Sequence, residues 1–272
     1  MTPLIPPSSL ELRSLVTEHG TLEVSVVDVP VPIPRPGQVL LRVEAAPINP
    51  SDLGLLFAGA DMNAATVEGT PERPVVTTPL SEGARRALAA RVGRSLPVGN
   101  EGAGTVVAAG DSPEAQALVG RTVSVAGGAM YTQYRACEAS ACLILPEGTP
   151  ARDGASSFVN PLTALGMIET MRREGHSGLV HTAAASNLGQ MLVKLCLEEQ
   201  VPLVNIVRRP EQAELLRSIG AVHVCDSSAS SFKPDLRDAV TATSATLAFD
   251  ATGGGNLASQ ILSAMEAAAS QS

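Results

Sequence analysis

"GLVHTAAASNLGQMLVKLCLEE", residues 178–199, passes from an apolar run through a string of small residues into a helical period. "GLVHTA" has the length of a short buried strand. Leu188, Met191, Leu192, Leu195 and Cys196 then recur at the i, i+3, i+4 spacing of one helix face. The segment reads as a βα unit with a tight turn. Outward from it, "PLVNIV" (202–207), "AVHVC" (221–225) and "ATLAFD" (245–250) are further short apolar runs separated by helix- or loop-length segments, and "EQAELLRSIG" is a short helix closed by Gly220. Strand–helix alternation of this kind predicts an α/β fold with a doubly wound parallel sheet.

Before residue 150 the texture differs. "TLEVSVVDVPVPIP" alternates apolar and polar, Pro36-Gly37 makes a turn, and "QVLLRVEAAPI" resumes a strand. Residues 103–108, 121–126 and 142–146 read as further short strands, which together suggest a small β-barrel-like domain. Residues 57–97 have weak periodicity and read as an insertion with one helix at about 80–93. The expected domains are 1–150 and 151–272. The second of these stops where such a sheet should gain another strand, so the chain is expected to be a fragment.

The 272 residues carry a formal charge of −8, are 44% hydrophobic and only 2% aromatic, and include no Trp. That is a globular composition long enough for two cores. The acidic balance and scarce stacking rings leave no footprint for nucleic acid or an anionic membrane. No apolar run nears the roughly 20 residues of a membrane span. "MTPLIPPSSLELRS" has no basic region followed by an apolar one, so a cytoplasmic chain without a leader is expected. Cys137, Cys142, Cys196 and Cys225 form no Cys-x-x-Cys pair and read as small buried hydrophobes.

A small-residue turn from strand to helix offers unpaired backbone N–H groups and a positive helix end to a pyrophosphate. The candidates are Ala185, Ser186, Asn187, Leu188 and Gly189. In the Gly-x-Gly-x-x-Gly register ending at Gly189, Ala184 and Ser186 occupy the first two places; only the third glycine, where helix packs on strand, is kept. Such a turn can also be packing alone. About 20 residues on, where an acidic side chain would hold a ribose hydroxyl, stand Arg208 and Arg209. Guanidinium groups suit a 2′-phosphate, which favours NADPH over NADH; a solvated basic pair is the plainer reading. His181 reads as a core residue and Asp52 as a helix cap or turn residue. No Ser–His–Asp or His/Cys metal constellation is evident.

Several stretches together resemble the zinc-independent branch of the medium-chain dehydrogenase/reductase superfamily, and are most similar to NADPH:quinone oxidoreductases and mitochondrial-type 2-enoyl thioester reductases. They are "INPSD" (48–52), "GNEGAG" (99–104), "AMYTQY" (129–134), "NPLTALGM" (160–167), the turn at 182–189 and "DATGG" (250–254). The resemblance implies a GroES-like catalytic domain, a Rossmann domain, a small-molecule substrate cleft between them, and a homodimer in a full-length protein whose chain continues past this point. It places Asn160 and Thr163 on the nicotinamide side of the cleft and Ala251 at the cofactor. Zinc alcohol dehydrogenases of the superfamily have a Cys where Asn49 stands and a His where Asn100 stands. An amide is a poor zinc ligand, and a catalytic zinc needs three protein ligands. No metal is therefore expected, and the substrate should already be electrophilic: a quinone or an α,β-unsaturated carbonyl. Asn49 and Asn100 become the catalytic candidates, expected to converge as hydrogen-bond donors where zinc ligands would have converged. The proton-donating Tyr of the thioester reductases is replaced by Ala60, and Tyr131 and Tyr134 fall in the strand motif. The alternative is a non-catalytic, crystallin-like NADPH-binding protein.

Overall fold

The computed structural model describes residues 4–270; the first three residues of the stretch read for a leader, and the last two of the chain, lie outside the described residues. The chain divides into two compact units, 1–159 and 160–272.

The first unit contains β1 (Ser8–Val16), β2 (Thr21–Pro30), β3 (Gln38–Ala45), α1 (Pro50–Phe57), β4 (Thr66–Thr70), β5 (Arg73–Pro79), α2 (Glu82–Ala87), β6 (Ser95–Pro97), β7 (Glu101–Ala109), α3 (Pro113–Gln116), β8 (Thr122–Ala126), β9 (Tyr134–Glu138), β10 (Cys142–Ile144) and α4 (Ala151–Gly154). They form two antiparallel sheets, ordered β4-β5-β2-β1-β6 and β10-β8-β7-β3-β9, curled as a half-barrel. The alternation read in the sequence is the reason. In β2, Leu22 and Val24 are buried while Thr21 and Glu23 are half-exposed, so one face joins Val16, Leu56, Leu80 and Val98 in a core. A second core gathers Val39, Leu41, Val106, Val123, Val125 and Met130.

Residues 57–97 are more ordered than their periodicity suggests. β4 and β5 form a hairpin that extends the sheet from β2, with Val76 opposite Val24. The β-branched run Val75-Val76-Thr77-Thr78 favours a strand even though its two faces are about equally half-buried and give no clean alternation. The helix expected at about 80–93 is only α2, followed by a turn of 3₁₀ helix at Ala89–Arg91. Gly93, in the left-handed region, ends the segment.

The second unit continues α5 (Val159–Arg173) with β11 (Leu179–His181), α6 (Asn187–Glu198), β12 (Leu203–Val207), α7 (Pro210–Ser218), β13 (His223–Asp226), α8 (Phe232–Thr243), β14 (Leu247–Phe249) and α9 (Leu257–Ala269). The sheet is parallel with order β13-β12-β11-β14. Every residue of β12 is buried, as a strand covered on both faces requires. Met167, Ile168, Leu192, Cys196 and Leu216 of α5–α7 cover one face. Phe232, Leu236, Val240 and Ile261 of α8 and α9 cover the other. The strand order reverses at β11, which lies between β12 and β14. Ligands of such sheets bind outside the carboxyl ends of the strands at this reversal.

His181 is fully buried in β11, as read, and burial pushes its pKa down. Cys196 and Cys225 are buried as expected. Cys142 is only half-buried and lies beside Cys137.

Candidate functional site

In the second unit the site is built by the turns that follow β11, β12 and β14. Ser186 caps α6, its hydroxyl accepting the Gly189 N–H at 3.2 Å. Gly189 is obligatory: a Cβ there would overlap the carbonyl oxygen of Ala184, so helix and strand meet backbone to backbone. Ala183 takes the left-handed conformation (φ 51°) that glycine would adopt freely. Asn187 and Leu188 open the helix. Their N–H groups lack partners within it, while the Leu188 side chain packs into the core.

A cavity of about 480 Å³ lies over this turn, lined among others by Ala185, Ser186, Val207, Arg208, Ser227 and Thr252. Arg208 and Arg209 are therefore not equivalent. Arg208 lines the cavity, and its backbone N–H is held by Gln212 Oε1 at 3.1 Å. Arg209 has extended backbone, caps α7 and turns its guanidinium toward Glu211 at 3.5 Å; it is not among the lining residues. Neighbouring residues on an extended chain face opposite ways, which parts the expected pair. Asn160 and Thr163, in the first turns of α5, do not line this cavity either.

Thr182 joins the end of β11 to the turn after β14. Its hydroxyl donates to Asp250 Oδ1 at 2.7 Å and accepts the Ala251 N–H at 2.8 Å. Thr252 adds a hydroxyl and an N–H to the same Asp250 oxygen. With the Thr252 hydroxyl the largest contributor and Thr182 next, these donors hold the Asp250 carboxyl at about 2. Ala251 is held by its backbone N–H and, like Arg209, is not among the residues lining the cavity. Gln212, Ser227 and Thr182 were not singled out in the sequence; polar residues placed at or just past strand ends were the available signal.

The first unit carries a separate polar cluster. Asn49, Asp52 and Glu101 are buried. Asp52 accepts the Asn49 N–H at 2.8 Å and the Asn100 N–H at 2.9 Å, so it joins the start of α1 to the start of β7. Glu101 accepts the Asn49 side-chain amide at 2.9 Å through Oε1, and the N–H groups of Phe158 and Val159 at 2.8 and 3.1 Å through Oε2. Asn49 and Asn100 are brought together through their backbones, but their side chains part. Asn49 turns inward to Glu101, and Asn100 is half-exposed with its amide donating to Ser51 Oγ at 2.8 Å. The expected convergence of two amides is corrected by this geometry, because a buried carboxylate claims the nearer amide.

Tyr131 packs over Gly99, where a Cβ would stand 2.6 Å from its ring, and donates its hydroxyl to the Pro47 carbonyl at 2.8 Å. Burial, with Asp52 and Glu101 nearby, pushes its phenol above the usual range. Ala60 sits in the turn after α1 and offers no acid. Among the described residues no three His, Cys, Asp or Glu side chains group as a metal site would require.

No family model matches the chain. It is 28% identical over 248 residues to the mitochondrial enoyl-[acyl-carrier-protein] reductase of Xenopus tropicalis, covering 86% of this chain and 61% of that protein. It is 28% identical to prostaglandin reductase-3 of Mus musculus, over 71% of this chain and 44% of that protein. It therefore spans less than two thirds of these curated relatives. Among solved structures, a Mesorhizobium loti protein assigned provisionally as an NADPH:quinone reductase superposes with a TM-score of 0.69 at 32% identity, over 97% of this chain and 72% of that one.

Proposed function

The chain belongs to the medium-chain dehydrogenase/reductase superfamily, and from that premise we propose that it serves an NADPH-dependent oxidoreductase that reduces a quinone or an α,β-unsaturated carbonyl without zinc. One observation carries the reading. The turn closed by Gly189 and capped by Ser186 opens into a cavity of about 480 Å³ with Arg208 in its wall. That cradle fits a dinucleotide: backbone N–H groups and a helix N-terminus for the pyrophosphate, and a guanidinium for a 2′-phosphate. A nicotinamide cofactor supplies hydride when bound; the residues of this chain bind and orient it. Ala185, Ser186 and Gly189 give it a close backbone, Thr182 fixes the Ala251 N–H, and Arg208 selects the phosphorylated form.

The zinc-free reading rests on donor chemistry. The Asn49 amide donates to Glu101, and Asn100 offers a half-exposed amide where a ligand would stand. Asn100 is thus the donor left to polarise a substrate oxygen, and Asn49 positions it only through the shared Asp52 joint. The second reading, an NADPH-binding protein without turnover, is favoured by the same commitment of Asn49 and by Ala60. NADPH consumption with a panel of quinones and enones on the whole protein separates the two. Turnover supports the oxidoreductase, and tight NADPH binding without turnover supports the binder. With turnover established, Asn100→Ala is expected to lower kcat/KM by up to roughly 100-fold at unchanged melting temperature. Stoichiometric zinc in the purified protein would overturn the zinc-free reading.

A further inference from the structure

Cys137 lies in β9 and Cys142 opens β10, the two edge strands of the curled sheet. One pairs with Val39 of β3 and the other with Val125 of β8, at opposite ends of the strand order. The single 3₁₀ turn Ala139–Ala141 nevertheless brings their sulfurs to 3.8 Å. Cys137 is buried and Cys142 half-buried. A cavity of about 250 Å³, lined by Val125, Gly127, Arg135, Cys137 and Ala141, opens beside them. Cys196 and Cys225 lie buried in the other unit, on opposite faces of its sheet.

We propose that Cys137 and Cys142 are a reversible dithiol that takes two oxidising equivalents from a hydroperoxide and closes to an intrachain disulfide. The more accessible sulfur reacts first. The Cys142 thiolate attacks one oxygen of hydrogen peroxide; the O–O bond breaks, hydroxide leaves and takes up the proton released by the thiol, and Cys142 becomes a sulfenic acid. The Cys137 sulfur then attacks the Cys142 sulfur, the S–S bond forms, and the sulfenic hydroxyl leaves with the Cys137 proton as water. Two thiols lose two electrons and two protons, and one peroxide becomes two waters. The division of roles agrees with the environment. The contact with Cys137 lowers the Cys142 thiol pKa, whereas that same contact, with burial, raises that of Cys137. The product would staple the sheet edge to edge.

Cleavage after Arg135 and Arg152 leaves both cysteines in one tryptic peptide. The intact reduced chain is treated with hydrogen peroxide, denatured, alkylated, digested and weighed. The expected peptide is two hydrogens lighter, lacks both alkyl groups and regains them after dithiothreitol, while Cys196 and Cys225 alkylate fully. In Cys137→Ser, Cys142 is expected to accumulate as a sulfenic acid trapped by dimedone. In Cys142→Ser, Cys137 is expected to stay alkylatable. A wild-type peptide that keeps both alkyl groups, carries a sulfinic acid at Cys142 beside an alkylated Cys137, or is linked to another chain overturns the proposal.

Discussion

The turn at 182–189 and the cluster around Glu101 are both polar, in opposite ways. The turn is made of backbone: its side chains are small, its helix opens with N–H groups that the helix cannot pair, and a cavity stands over it. The cluster is made of side chains, and its acceptors are already taken. Glu101 receives three donors and Asp52 receives two backbone N–H groups, all within the first unit. An open set of donors can bind an anion that arrives. A closed set of acceptors holds a fold, and of this cluster only the half-exposed Asn100 amide faces outward. The difference separates the region expected to govern cofactor affinity from the region expected to govern stability.

That separation can be broken from either side. The largest effect is expected from Glu101→Gln, which turns an NH₂ toward either the Asn49 amide or the Phe158 and Val159 N–H groups. It should cost about 3 kcal/mol of stability in denaturant melts of the first unit's transition, with NADPH affinity of the folded protein unchanged. Gly189→Ala forces the helix away from Ala184 and should cost about 2 kcal/mol. Unlike the first variant it should also abolish measurable NADPH binding in calorimetric titration. Arg208→Ala should leave the melt alone and weaken NADPH about tenfold, as loss of one charge-assisted contact requires; NADH affinity should not move, and Arg209→Ala should do little to either. Equal loss from the two arginines would show that the cavity wall is not what selects the phosphate.

The smallest effect concerns acid. Asp250 titrates at about 2 in the folded chain against an ordinary 3.8. A depressed carboxyl stabilises the fold above the unfolded value, and the contribution is lost as pH falls from about 4 through 2. Asp250→Asn should therefore flatten that stretch of the stability–pH curve slightly, because the group is largely exposed to solvent. An unchanged slope would mean that the Thr182 and Thr252 donors do not hold the carboxylate in solution.

What was legible in the sequence divides the same way. The βα unit could be read because helix period, turn and glycine are local, and Gly189 has one physical reason to be glycine. β4 and β5 were hidden because neither of their faces is clearly buried. The parting of Asn49 and Asn100 could not be read at all. It depends on Glu101, a neighbour of one in sequence and of the other only in space, and on which amide a buried carboxylate reaches first. The split of Arg208 from Arg209 needed only the alternation of an extended chain and could have been anticipated.

The Asp52 joint has a consequence in time. Its carboxylate is the partner of two backbone hydrogens, on Asn49 and on Asn100, that lie in elements far apart along the chain. Asp52 belongs to α1, so an opening of α1 withdraws the carboxylate from both hydrogens, whereas an opening at the start of β7 frees only that of Asn100. In native-state hydrogen exchange the opening of α1 should therefore be common to both amides, and the Asn100 amide, which has a second route, should exchange at least as readily as that of Asn49. Because the Asn100 contact lies across a long loop while the Asn49 contact is local to the start of α1, the Asn100 amide should gain protection later than that of Asn49 when refolding is pulse-labelled.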